Sequence, residues 1–182
     1  QEAVTAQQAM AERPEAQTYL GSLYAALGET EKADSAYKTA IELNAAYVPG
    51  YVNLADLYRA QGRETDAENV LRRAAKVNPG NASVHHALGL SLVRQQRTDE
   101  GVEELRLAAT LTPENVRYVY VYAVALNSTG KPEQAVMVLQ GAHNQHPNNR
   151  EILSALVAFH RDMGNQAAAQ SYAEKLHAIS PQ

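Results

Sequence analysis

Apolar and polar positions along the chain follow a helical rhythm: residues at spacings of three and four recur in stretches of about a dozen residues. These stretches are separated by short polar breaks carrying Gly or Pro. The breaks are themselves periodic. Gly28, Gly62, Gln96, Gly130 and Gly164 fall 34 residues apart, as do Pro79, Pro113, Pro147 and Pro181. Small residues keep the same step at Ala33, Ala67, Gly101, Ala135 and Ala169, and apolar ones at Leu20, Leu54, Leu88, Tyr122 and Leu156. Several series coinciding at one period predict a repeat architecture in which each unit is helix, tight turn, helix, stop. Glycine suits the left-handed conformation past a helix end, and proline cannot continue a helix. Pro132 stands where a second helix should begin, a place that tolerates its missing N–H.

The predicted fold class is all-α: five repeats over 14–47, 48–81, 82–115, 116–149 and 150–182, preceded by one amphipathic helix in 1–13 marked by Ala3, Ala6, Gln7 and Met10. Small residues at Gly21, Ala55, Gly89 and Ala123 are expected to face Ala33, Ala67, Gly101 and Ala135 and let paired helices approach. Val157, in the same slot of the last repeat, predicts looser packing there. The run Val116 to Tyr122 alternates like a strand, but its place in the repeat assigns it to a first helix. Tyr122 then belongs to the core register, Tyr120 faces inward toward the concave side of the stack, and Tyr118 lies at its edge.

The pattern Leu20, Gly21, Tyr24, Gly28, Ala33, Tyr37, Ala40, renewed at Leu54, Ala55, Tyr58, Gly62, Ala67, Leu71, Ala74, Pro79, resembles the tetratricopeptide repeat. That resemblance implies a right-handed superhelical solenoid whose first helices line a concave groove for a protein or peptide. It also implies which positions face the groove. They are Val52, Asp56 and Arg59 in the second repeat, and His86, Leu90 and Arg94 in the third. The fourth repeat supplies Arg117, Tyr120, Val124 and Asn127, and the fifth Arg161. Four arginines among apolar and aromatic neighbours lead to an expected preference for acidic or C-terminal segments. The Lys and Asn of the family's carboxylate clamp are not matched, since Thr18, Ser22, Val52 and Asp56 stand at those positions. Chaperone C-termini are therefore not the expected ligand. A weaker resemblance joins the stretches 85–95 and 118–126 to repeat regions that follow multihaem c-type cytochrome domains in exported bacterial proteins. It implies a periplasmic accessory role.

Composition narrows the chemistry. With no Cys among 182 residues, a disulfide framework, thiol catalysis and Cys-ligated zinc are excluded from this sequence. A net charge of −4 gives no long-range attraction to nucleic acid, and no apolar run reaches the roughly 18 to 20 residues of a membrane span. No phosphate-cradling glycine loop or nucleophile elbow is present, so neither enzyme nor cofactor is expected. His143 and His146 share a helical spacing without any accompanying carboxylate, which favours packing or solvated histidines over a metal site. His160, in the slot of Tyr24 and Tyr58, reads as a packing residue. The last helix, with nothing after it to cover it, offers a surface for self-association.

Overall fold

The computed structural model describes residues 12–179; the expected helix in 1–13 and Pro181 lie essentially outside them. All regular structure among the described residues is helical, in ten α-helices. These are α1 (Pro14–Ala26), α2 (Thr30–Leu43), α3 (Val48–Ala60), α4 (Glu64–Val77) and α5 (Ala82–Arg94). Then follow α6 (Thr98–Leu111), α7 (Val116–Ser128), α8 (Pro132–Gln145), α9 (Arg150–Asp162) and α10 (Gln166–Ala178). Successive helices are separated by short turns. The strand-like run at Val116 is the first half of α7, started by Asn115, whose side chain accepts from the Tyr118 amide at 3.4 Å.

The turns inside the repeats behave as the glycines require. Gly28, Gly62, Gly130 and Gly164 have φ of 74 to 76°, the left-handed region open to a residue without Cβ. Gln96 adopts the same conformation at φ 62° despite its side chain. The repeat therefore dictates the turn there, and the residue pays a strain of about 1 to 2 kcal/mol.

The chain divides into two compact parts, Gln1–Ser91 and Leu92–Gln182. In the first, α1 pairs with α2 and α3 with α4, while α2 packs on α3 and α1 lies beside α3. Its core contains Ala33, Tyr37, Ala40, Tyr51, Leu54 and Leu71. Gly21 lies against the ring of Tyr37: a Cβ built on Gly21 would meet Tyr37 Cε1 at 2.5 Å. The small residue is thus matched to a large one across the hairpin.

In the second part α7 pairs with α8 and α9 with α10; α6 packs on α7, α8 on α9, and α7 lies beside α9. Leu105, Ala123, Leu126, Leu139, Ile152, Leu153 and Leu156 fill its core. The expected loosening at Val157 does not occur, because Val157 is buried and α10 packs fully on α9. By the repeat register Ala173 stands where Tyr37 stands in the first repeat, so the large and small partners are exchanged and the volume is conserved. Tyr122 is half-buried rather than a core residue; burial pushes its phenol pKa up, with Arg106 and Glu103 acting on it in opposite directions.

Candidate functional site

The first helices α1 and α3 lie side by side, and the space between them is an open cavity of about 340 Å³. Ser22 and Ala25 of α1 form one wall, and Asn53, Asp56, Leu57 and Ala60 of α3 the other. Tyr37, reaching up from α2, helps close the floor, with Thr30 and Gln61 at the ends. The path of Tyr37 to this floor is open because Gly21 has no side chain, and the Tyr37 hydroxyl ends 3.2 Å from Ser22 Oγ. Ser22 also donates to the Thr18 carbonyl at 3.0 Å. The lining mixes hydroxyls and amides with the methyls of Ala25, Leu57 and Ala60, a surface that suits a peptide backbone carrying small or apolar side chains.

Asp56 is the charged group in this lining, and its carboxylate is held by Arg59 on the same helix at 3.1 to 3.2 Å. Arg59 is thereby partly neutralised. Of the other residues expected in this part, Val52, His86 and Leu90 are half-buried and outside the cavity. The sequence reasoning missed Asn53 and Leu57. Each directly follows a chosen position, Val52 and Asp56, on the side of α3 that faces α1, and the signal was available in the nearness of successive first helices.

In the second part, α7 exposes Arg117 and Val124 and half-buries Tyr120 and Asn127; α9 exposes Arg161. Arg94, in the last turn of α5, is exposed.

A different cluster lies where α8, α9 and α10 meet. His160 stacks on the ring of Tyr172 with centroids 5.6 Å apart, and His143 meets the same ring edge-on at 5.6 Å. Both histidines are buried, as packing residues are. Among the described residues no group of His, Asp or Glu is placed to hold a metal ion. Nor is any helix long and apolar enough to cross a membrane. On α10 no large apolar side chain is exposed among the described residues, which leaves the expected self-association without an apolar surface.

Models of the tetratricopeptide repeat match residues 14–47, 52–116 and 86–150. The chain belongs to the tetratricopeptide repeat family. Solved structures with the same fold include MamA, with TM-score 0.74 at 17% identity, covering 91% of both chains. Another is pilF of Pseudomonas aeruginosa, with TM-score 0.73 at 22% identity over 93% of this chain and 77% of that one. A third is YrrB, described as a TPR protein with an unusual peptide-binding site, at TM-score 0.71 and 18% identity, covering 98% of this chain and 92% of that one. No curated protein matches the sequence.

Proposed function

We propose that this chain is a non-catalytic interaction scaffold that binds a peptide segment of a partner protein against its first helices, with the α1–α3 cavity as the principal seat. The observation that carries this reading is the lining of that 340 Å³ space. Ser22, Tyr37 and Asn53 offer hydrogen bonds beside the apolar surface of Ala25, Leu57 and Ala60, all on rigid helices. YrrB, which shares the fold, is described as having a peptide-binding site, and this supports the reading by analogy. The first helices of the third to fifth repeats extend the proposal to His86, Leu90, Tyr120, Val124 and Asn127. A preference for acidic segments rests on Arg117 and Arg161, since Arg59 is already engaged by Asp56.

The test uses a peptide selected from a random display library against the full chain. Asn53→Ala weakens its binding by about tenfold, the loss expected for one hydrogen bond to a buried peptide group. Joint Arg117→Gln and Arg161→Gln weakens acidic peptides and spares neutral ones. Unchanged affinity in the Asn53 variant contradicts the seat, and unchanged affinity in the double variant contradicts the acidic preference alone. An accessory role beside a multihaem electron-transfer domain rests on sequence resemblance only, and no side chain of the described structure favours it.

A further inference from the structure

The ring of Tyr172 on α10 is clasped between two imidazoles, His160 of α9 on its face and His143 of α8 at its edge. His143 is 9% and His160 6% exposed. Both ring nitrogens of His160 and Nδ1 of His143 are buried without a hydrogen-bond partner. The remaining nitrogen, His143 Nε2, lies 3.4 Å from the Lys175 ammonium, which also sits 4.9 Å from the Tyr172 centroid. An ammonium donates only, so this contact requires a lone pair on Nε2 and hence a neutral His143. Proton uptake would remove that lone pair and set two cations 3.4 Å apart.

We propose that this clasp makes α10 a latch that is closed at neutral pH and released by acid.

The surrounding charges do nothing to offset the added protons. From α8, His146 is the next titratable group, and its Nε2 is also buried without a partner. The other charges of α8 and α9, Glu133, Arg150, Glu151, Arg161 and Asp162, are exposed near helix ends. On α10, Glu174 accepts from Gln170 at 3.2 Å and His177 is exposed. On α7, which packs on α8 and lies beside α9, Arg117 is exposed and the remaining titratable groups are the tyrosines 118, 120 and 122. No carboxylate pairs with any of the three clustered histidines among the described residues.

The latch is thin enough to open by itself. Among its residues only Ala169 is buried; Tyr172, Ala173 and Leu176 are half-buried, and α10 packs on α9 and touches α8 through His143. Opening would uncover the side of α9 that carries Val157 and His160. Burial and the Lys175 charge both lower the His143 pKa, in the direction the latch requires. Protonation of His143 only in the open state raises the opening constant by up to about tenfold per pH unit.

Amide hydrogen exchange of the full chain at pH 7.5 and 5.5, corrected for the intrinsic pH dependence of exchange, reads this directly. The latch predicts that α10 opens at least about tenfold more at the lower pH, while α7 changes much less. Repeat register supplies mild replacements: His143→Ile takes the residue of position 41 and His160→Tyr that of position 58. In this double variant the pH effect on α10 disappears. Should the variant fail to fold, the imidazole proton resonances of the natural chain must titrate with the same midpoint as the opening of α10. Equal α10 protection at both pH values, persistence of the effect in the folded double variant, or discordant midpoints would each overturn the latch.

Discussion

The Tyr58 hydroxyl donates to Asp34 Oδ1 at 2.6 Å, tying the first helix of the second repeat to the second helix of the first. Lys38 holds the other carboxylate oxygen at 2.7 Å, and the Arg63 guanidinium lies 4.2 Å from the Tyr58 ring centroid. Partial burial works to raise the Asp34 pKa, but the hydrogen bonds from Lys38 and Tyr58 and the nearby positive charges outweigh it and leave it lowered. Tyr58→Phe keeps the ring and removes the bond, which costs about 1 to 2 kcal/mol in urea unfolding at neutral pH. A lowered carboxylate pKa contributes stability that is full above its ordinary value of 3.8 and lost as pH falls through the folded value. The gap between natural chain and variant therefore holds at pH 5 and closes in stronger acid. A gap that grew on acidification would exclude Asp34 as the acceptor.

Gly21 controls both packing and site. Gly21→Ala drives a methyl into Tyr37 Cε1 and Cδ1, which lie 2.5 and 2.6 Å from the new Cβ position. Tyr37 is 4% exposed and has little room to retreat. The expected loss is about 1 to 3 kcal/mol, the range for overpacking. Because the Tyr37 hydroxyl would leave Ser22, peptide affinity should fall as well. Ala55→Gly, at the same place in the next repeat, has no such coupling to the cavity floor.

At Gln96 the left-handed turn is held by a residue that resists it. Gln96→Gly relieves the strain at a small entropic cost in the unfolded chain, so the net expectation is a gain of up to about 1 kcal/mol in unfolding free energy. A clear loss of stability would mean that the Gln96 side chain contributes more than its backbone costs.

Much of this molecule was legible in the sequence because a repeat states its rules several times. Gln96 was placed in a turn by the glycines around it, and Val116 to Tyr122 was read as helix against its own propensity for the same reason. The misreadings have a common physical origin, in pairs that only the hairpin reveals. Val157 suggested loosening when viewed alone, yet it is buried, and the residue that register sets across the hairpin is the small Ala173. Gly21 was matched with Ala33, and the pattern did not show how closely Tyr37, four residues further along α2, also approaches it. At the site, Asp56 was named and Asn53 and Leu57 were not, because the groove positions came from resemblance while the cavity forms between neighbouring first helices. Nor could sequence spacing show that Arg59 is engaged by Asp56, or that His143 and His160 share one tyrosine ring.

Amide chemical-shift mapping of the full chain with the selected library peptide decides whether the space between α1 and α3 receives it. The account predicts that Ser22, Asn53, Asp56 and Leu57 shift most and saturate together. Saturable binding that left these four unmoved and shifted another surface would contradict it.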